Sequence, residues 1–162
     1  MYIYLDTYSN MYLYLDTFFK KVSIGTIFIF LQDNIKDTKV ISIYKPDIVC
    51  HLASMAGVRY SIEKPRVYLD SNIIGTYNII EIAKRLNVKH LIMASSSSVY
   101  GANKKIPFKE VDKTETQMSI YAATKKSNES MAHSYSNIWK VPITMLRFFT
   151  GVVVKSNKQV IF

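Results

Sequence analysis

The stretch HLIMASSSSVYG, residues 90–101, decides the fold of this 162-residue chain. Its first half is a short apolar run, which is typical of a strand buried on both faces. Four consecutive serines, Ser95–Ser98, lie at the end of that run. Ligands of parallel sheets bind beyond the carboxyl ends of the strands, so hydroxyl groups at this place indicate a functional site.

Apolar runs and amphipathic segments alternate along the rest of the chain. The sequence predicts strands at 26–31, 47–53, 90–96 and 143–149, helices at 35–45, 65–86 and 121–139, and a polar loop at 101–118. Strands that alternate with helices and are apolar throughout predict a parallel sheet with helices on both faces, an α/β fold. The first 20 residues contain the near-repeat MYIYLDTYS and MYLYLDTFF, which permits either a short hairpin or no regular structure.

Composition and charge are those of a globular protein in a reducing compartment. Hydrophobic residues make up 49% of the chain and charged residues 20%, with a formal net charge of +9. The lysines are scattered in pairs rather than gathered in a basic block, so we expect no nucleic-acid partner. The single cysteine, Cys50, excludes an internal disulfide framework, and we expect it to be buried and inert. Because neither a signal peptide nor a membrane-spanning run is apparent, we expect a cytoplasmic protein with no membrane partner.

Tyr121 and Lys125 begin the last predicted helix, in the segment YAATK. Residues four apart lie on one face of a helix, one turn from each other. A neighbouring ammonium favours the charged form of a phenol, which can then act as a general base near neutral pH. A serine hydroxyl from the strand end opposite could hydrogen-bond the same substrate oxygen. The same spacing is common on ordinary surface helices, so it indicates a site only together with its neighbours.

A long segment of the chain, Asp47–Thr150, resembles the extended short-chain dehydrogenase/reductase family of NAD-dependent epimerases and dehydratases. Within that family it is most similar to the UDP-glucuronate 4-epimerases. The motifs that carry the resemblance are HLA, AGVRYS, SSSSVYG, YAATK and LRFFT, in the family's order and spacing. The resemblance implies a Rossmann-like sheet, NAD as cofactor, a UDP-sugar as substrate, and a homodimer or a complementing chain as partner. It also implies oxidation of the sugar at C4 and return of the hydride to the opposite face, with the redox chemistry carried by the cofactor.

The resemblance further implies a role for each matching residue. Tyr121 matches the catalytic base, Lys125 the lysine that tunes this base and holds the nicotinamide ribose, and Ser96 the catalytic hydroxyl. Positions that match substrate contacts are Ser97 and Ser98, at the sugar carboxylate, and Arg59, near the sugar or diphosphate. Positions that match the cofactor site are Leu52, Ala53, Ser54, Ser71, Asn72, Ser95, Lys125 and Phe149.

The histidines do not suggest chemistry of their own. We interpret His51 as a hydrogen-bonded core residue, and His90 and His133 as surface residues. No group of residues has the spacing of metal ligands, so we expect no metal site.

Two features of the family have no counterpart in this sequence. The glycine-rich turn G-x-x-G-x-x-G, which brings the backbone close to the NAD pyrophosphate, is missing, and only Gly25 precedes Asp47. The segment IFIFLQDNIKD is matched to the family's third strand, with Asp33 as the candidate adenine contact. After LRFFT the chain reads GVVVKSNKQVIF, where the family continues into its substrate domain.

From these departures we expect a chain truncated at both ends, without the first β-α-β unit and without the C-terminal substrate domain. We divide it into an atypical Tyr-rich segment at 1–25, a partial NAD-binding domain at 26–150 and a divergent tail at 151–162. A sheet without its first strand would leave an unpaired edge.

Three interpretations stay open at this point. The chain is a truncated or frame-disrupted product with weak or no activity alone, a working half that needs another chain for the glycine-rich unit, or a non-catalytic interaction protein that keeps the fold. Binding groups remote from the reacting atoms supply much of an enzyme's rate, so their absence argues against efficient turnover by this chain alone.

Overall fold

The computed structural model describes residues 2–5 and 46–149 and contains one parallel sheet. Its strands are β1 (Tyr2–Leu5), β2 (Ile48–His51), β3 (His90–Ser96) and β4 (Ile143–Phe148). They are hydrogen-bonded in the order β1-β2-β3-β4, and every pair is parallel. The predicted α/β fold with a Rossmann-like parallel sheet is therefore confirmed.

Helical segments connect β2 to β3 and β3 to β4. They are α1 (Val58–Glu63), α2 (Pro65–Tyr68), a π-helical segment (Leu69–Ile74), α3 (Gly75–Leu86), a 3-10 turn (Ser97–Tyr100) and α4 (Ile120–Trp139). The helix predicted at 65–86 is confirmed as one unbroken run of α2, the π-helical segment and α3. Proline is the first residue of this run. It is tolerated there because backbone N–H groups in the first turn of a helix have no partner within the helix. The short helix α1 was not predicted from the sequence.

Local sequence signals explain where α3 and α4 begin or end. The Ser119 hydroxyl caps α4 by accepting a 3.1 Å hydrogen bond from the backbone N–H of Ala122. Asn87 ends α3 in the left-handed conformation, with a φ of 50°, and Lys140 ends α4 with a φ of 58°. Asparagine tolerates this conformation because its short polar side chain bonds locally. The polar loop predicted between the 3-10 turn and α4 is observed.

The core lies where β2 and β3 meet α3. Val49 on β2 and both Leu91 and Met93 on β3 are at most 1% exposed. They belong to one cluster with buried side chains of α3, namely Ile79, Ile80, Ile82 and Ala83. Burying each large aliphatic side chain stabilises the fold by about 1.5–3 kcal/mol. This packing fixes the carboxyl ends of β2 and β3 side by side.

The edge of the sheet beside β2, which we expected to be unpaired, is covered by another strand. Parallel β1 pairs along the whole of β2, with Tyr2 opposite Ile48 and Leu5 opposite His51. The prediction of an unpaired edge there is wrong, and neither a hairpin nor the absence of regular structure describes Tyr2–Leu5. A strand whose partner lies more than 40 residues further on cannot be recognised from local patterns.

Several predictions concern residues outside the described ranges. They are the strand at 26–31, the helix at 35–45, the adenine contact of Asp33, and both proposed domain boundaries. Within the described residues, no helix is both long enough and apolar enough to cross a membrane.

Candidate active site

Lys125 joins helix α4 to the strand that carries the serine run. Its ammonium Nζ donates a 2.9 Å hydrogen bond to the carbonyl oxygen of Ala94, the residue immediately before Ser95. The lysine is only 3% exposed, so its charged group lies inside the protein. One turn earlier on the same helix is Tyr121, which is half-buried. The structure therefore brings the predicted lysine to the carboxyl end of β3, where the serines begin.

Burial changes the acidity of this lysine. Removal from water disfavours the charged ammonium and lowers the pKa of Lys125 from 10.5 to about 8. An ammonium has three N–H donors, and the hydrogen bond to Ala94 uses one of them. Among the described residues no carboxylate forms an ion pair with Lys125. The group is thus a buried cation with donors to spare at a strand end.

The four serines have different surroundings. Ser95 is buried and its hydroxyl donates a 2.7 Å hydrogen bond to Oε1 of Glu129 on α4. Ser96 caps the 3-10 turn, because its Oγ accepts a 3.2 Å hydrogen bond from the backbone N–H of Ser98. Ser97 and Ser98 are half-buried within the turn. Ser95 thus donates its hydroxyl proton to Glu129, whereas among the described residues the hydroxyl proton of Ser96 has no acceptor.

Tyr68 supports the ring of Tyr121. The two rings meet edge to face, with centroids 6.3 Å apart and an interplanar angle of 78°. Tyr68 is fully buried, and its hydroxyl hydrogen-bonds the carbonyl oxygens of Ala56 and Gly57 at 2.7 and 2.8 Å. Such an aromatic pair is worth about 0.5–1.5 kcal/mol beyond its buried area. The loop before α1 and the predicted catalytic base are thereby held together.

Asn72, a predicted cofactor contact, uses its amide within the protein. Its Oδ1 accepts a 2.8 Å hydrogen bond from the backbone N–H of Met55, and its Nδ2 donates to the carbonyl of Met55 at 3.0 Å. The same nitrogen donates to Oγ1 of Thr124 on α4 at 3.1 Å. Since Asn72 has 0% exposure, it lies behind the site and ties the loop after β2 to α4.

The other predicted contacts spread over the same end of the sheet. Leu52 and Ser54 are half-buried and Ala53 is buried in the loop after β2, and Ser71 is half-buried in the π-helical segment. Phe149 follows β4 directly and is exposed, with its ring stacked 6.4 Å from that of Phe108. Arg59 is exposed on α1. The structure does not bring Arg59 into a described contact with the serines or with Lys125.

His51 belongs to a buried polar cluster behind Lys125. Its Nε2 lies 3.0 Å from Oγ1 of Thr76, which also accepts a 3.2 Å hydrogen bond from Nδ2 of Asn128. Within the described residues, Nδ1 of His51 and Oδ1 of Asn128 have no partner, so the interpretation of His51 as hydrogen-bonded holds for one ring nitrogen. Burial and the charge of Lys125 lower the pKa of His51 to about 3, which keeps the ring neutral.

The remaining reactive side chains match their interpretations less closely. His133 is exposed, whereas His90 is half-buried and lies 2.8 Å from the hydroxyl of Thr144. Cys50 is half-buried rather than buried, and desolvation raises the pKa of its thiol to about 11, which keeps it protonated. Throughout 2–5 and 46–149, no histidine, cysteine and carboxylate group is arranged to hold a metal ion.

Two charged residues near the serines were missed by the sequence analysis. Arg147 on β4 donates from Nε and from a terminal nitrogen to the two carboxylate oxygens of Glu129, at 2.8 and 2.9 Å. A signal was available for each, because Arg147 is the only charge in the apolar run ITMLRFF and Glu129 lies four residues after Lys125. A lone charge in an apolar strand that is half-buried on one face requires a partner, which a helix beside that face can supply.

A parallel sheet with a serine run at one strand end, packed against a helix that carries Tyr-x-x-x-Lys, defines the protein as a Rossmann-like member of the epimerase and dehydratase class. The family model for GDP-mannose 4,6 dehydratase matches residues 6–160, and the chain belongs to this family. The matched range confirms the resemblance and extends it before Asp47.

The curated relatives include proteins named as UDP-glucuronate 4-epimerases. The chain is 51% identical over 120 residues to a probable UDP-glucuronate 4-epimerase of Rhizobium meliloti, a match that covers 74% of this chain and 35% of that protein. It is 54% identical over 103 residues to UDP-glucuronate 4-epimerase 4 of Arabidopsis thaliana, covering 63% of this chain and 24% of that protein. The chain therefore spans about a quarter to a third of the length of these relatives.

Solved structures show the same fold. The UDP-glucuronic acid 4-epimerase of Bacillus cereus, in complex with UDP-glucuronic acid and NAD, matches with a TM-score of 0.71 and 25% identity, over 91% of this chain and 56% of that one. The UDP-glucose 4-epimerase of Thermus thermophilus, in complex with NAD, matches with a TM-score of 0.76 and 19% identity, over 91% of this chain and 54% of that one. The second likeness concerns the fold alone.

Proposed function

We propose that this chain carries the catalytic part of an NAD-dependent UDP-sugar 4-epimerase and that its sugar is UDP-glucuronate. The observation that carries the proposal is the buried ammonium of Lys125 at the carboxyl end of β3, one helical turn from Tyr121 and next to the serine run. The names of relatives about half identical to this chain support the choice of sugar.

The residues at this strand end fit a nicotinamide cofactor. Lys125 has N–H donors left after its hydrogen bond to Ala94, and ribose hydroxyls are suitable acceptors. The loop after β2 and the exposed ring of Phe149 lie at carboxyl ends of parallel strands, where dinucleotides bind in such sheets. When bound, NAD supplies the hydride acceptor and donor for C4 of the sugar.

Tyr121 is the proton carrier of the proposed reaction. Its phenolate takes the proton from the 4-hydroxyl of the sugar as C4 is oxidised, and returns that proton when the resulting carbonyl is reduced from the other face. Lys125 lies one turn after Tyr121 on the same helix, and its ammonium is assigned to the nicotinamide ribose. Ser96 donates its hydroxyl proton in a hydrogen bond to the same sugar oxygen, since its Oγ is already held as an acceptor by Ser98. No proton is consumed over the full cycle.

Ser97 and Ser98 account for the carboxylate of the proposed substrate. Both are half-buried in the 3-10 turn directly after Ser96, so they lie within one turn of the proposed catalytic hydroxyl. A carboxylate accepts several hydrogen bonds, and two hydroxyls can serve it together. Arg59 is assigned to the sugar or the diphosphate, since it is exposed on α1, which follows the loop after β2.

Epimerisation of UDP-glucuronate tests the proposal. The purified full chain is incubated with NAD and UDP-glucuronate, and formation of the C4 epimer is followed by chromatography. Tyr121→Phe removes the proton carrier and is expected to lower the rate by at least about 100-fold. The matched control is Tyr77→Phe, since Tyr77 is exposed on α3 away from the serines.

Two results would count against the proposal in different ways. An unchanged rate in Tyr121→Phe would refute the assigned chemistry. No product from the unaltered chain would show that the catalytic part does not act without another chain, or would favour a non-catalytic protein that keeps the fold.

A further inference from the structure

Glu129 lies where the elements of the candidate site meet. Its carboxylate on α4 accepts a hydrogen bond from Ser95 on β3 and two from Arg147 on β4. The same Arg147 donates to the backbone carbonyl of Glu110 in the loop at 3.1 Å and lies over the ring of Tyr100, 5.0 Å from its centroid. One carboxylate and one guanidinium thus connect two strands, the 3-10 turn, the loop and the helix.

The geometry of this ion pair is rigid. Two parallel N–H···O bonds of 2.8 and 2.9 Å join the planar guanidinium of Arg147 to both oxygens of the Glu129 carboxylate. The side chains are only 20% and 11% exposed, so solvent screens the pair weakly. Despite the burial, hydrogen bonds from Arg147 and Ser95 hold the pKa of Glu129 below its usual value, so the carboxylate is charged at neutral pH.

The two partners of Glu129 lie on neighbouring strands of the sheet. Ser95 and Arg147 are opposite each other in the parallel pairing of β3 and β4. Glu129 binds both, and it lies one turn after Lys125 and two turns after Tyr121 on α4. Glu129 therefore ties the position of α4 to the paired strand ends that present Ser96.

We propose that Glu129 is a positioning residue of the catalytic site, which holds α4 on β3 so that Lys125 and Tyr121 meet Ser96. The inference rests on the proposed function only for the roles of those three residues. The proposal also gives the serines two different roles. Ser95 donates its hydroxyl proton to Glu129, and the hydroxyls of the next three serines are left for the substrate.

The test compares Glu129→Gln with Glu81→Gln. Glu81 is a carboxylate on α3 that binds Lys84 at 2.8 Å and also the hydroxyl of Tyr135, which lies nearly three turns after Lys125 on α4. Both variants lose one charged carboxylate that joins α4 to a neighbouring element, but only the first should release the helix near the serines. The unaltered full chain and both variants are labelled with ¹⁵N-lysine, and the pKa of Lys125 Nζ is measured by NMR together with the thermal midpoint.

The inference predicts that Glu129→Gln raises the pKa of Lys125 from about 8 towards its ordinary 10.5, because the loosened helix admits water to the ammonium. Arg147→Lys keeps the charge but loses the two-pronged geometry, so it should produce the same change. Glu81→Gln should lower the thermal midpoint and leave the pKa of Lys125 in place.

An unchanged pKa in folded Glu129→Gln, or an equal change in Glu81→Gln, would overturn the inference. Should Glu129→Gln fail to fold, Arg147→Lys decides by the same criterion. The measurement needs neither bound NAD nor turnover, so its failure is distinguishable from failure of the proposed function. Where turnover is measured, a positioning role further predicts a fall in kcat larger than any rise in KM, since the groups that bind the sugar are unaltered.

Discussion

The side-chain amide of Asn72 donates a 3.1 Å hydrogen bond to the hydroxyl of Thr124. One turn further along both helical segments, Asn128 donates a second, 3.2 Å bond to the hydroxyl of Thr76. These four side chains are all buried and together form two polar rungs between α4 and the helical run before it. Lys125 lies next to the first rung, so the same contacts that join the helices hold the candidate site.

Because Asn72 joins Met55 to Thr124, we expect a large loss of stability in Asn72→Leu. A leucine has the right size but leaves the backbone N–H and carbonyl of Met55 and the hydroxyl of Thr124 without their partner. The free energy of unfolding should fall by about 2–4 kcal/mol, measured by urea denaturation. Asn78→Leu on α3 is the control, since Asn78 is only half-buried. Equal losses in the two variants would contradict the assigned role of Asn72.

Lys125→Met should make the protein more stable while removing its proposed function. The unfolded chain binds a proton at Lys125 below about pH 10.5, whereas the folded chain does so only below about pH 8. The stability of the unaltered chain therefore rises with pH across that window. Methionine avoids the buried charge, so the variant should gain about 1–3 kcal/mol at pH 7 and much less at pH 10.5. A variant less stable than the unaltered chain at pH 7 would count against the burial of a charged lysine.

Because His51 is buried as a neutral ring, we expect the protein to lose stability in weak acid. Its pKa is about 3 in the folded chain and 6.5 when unfolded, so protons favour the unfolded state as the pH falls from 6.5 towards 3. Between about pH 6 and pH 5 the free energy of unfolding should fall with a slope approaching 1.4 kcal/mol per pH unit. His51→Gln should remove most of that slope in a urea titration repeated at each pH. The same slope in the variant would show that other groups cause it.

Gly101 and Gly57 form a matched pair for backbone effects. Both have positive φ, of 56° and 98°, but a Cβ added at Gly101 would lie 1.9 Å from the carbonyl oxygen of Thr116. At Gly57 the nearest atom would be the hydroxyl of Tyr68 at 3.8 Å, so only the backbone angle opposes a side chain. Gly57→Ala should lower the free energy of unfolding by about 1–2 kcal/mol, the cost of the backbone angle alone. Gly101→Ala should lower it by more, and its thermal midpoint should fall further. A larger effect at Gly57 would contradict the close approach of the loop to the 3-10 turn.

Local sequence patterns could predict the elements that are marked by an apolar run or by a residue that begins or ends a helix. The apolar runs containing Val49 and Leu91, the proline at 65 and the capping serine before α4 all determine structure within a few residues. The position of Tyr121 and Lys125 on one helix face followed from their spacing for the same reason. The resemblance to the epimerase family, and not the spacing, assigned them their roles.

What could not be predicted depends on contacts between distant residues. The pairing of β1 with β2, the rung from Asn72 to Thr124, and the bond from Ser95 to Glu129 all join residues at least 34 positions apart. The bond from Ser95 to Glu129 could not be predicted until the helix that faces the serine run is placed. The roles assigned to the site residues stay predictions, which the variants above address.

The measurement that tests the central claim most directly is a calorimetric titration of the full chain with NAD. The control is Lys89→Ala, since Lys89 is exposed just before β3, at the opposite end of the strands from the serines. The account predicts saturable binding by the unaltered chain and by Lys89→Ala, and its loss in Lys125→Ala. Binding that survives in Lys125→Ala, or no binding by the unaltered chain at millimolar NAD, would contradict a cofactor site built on Lys125.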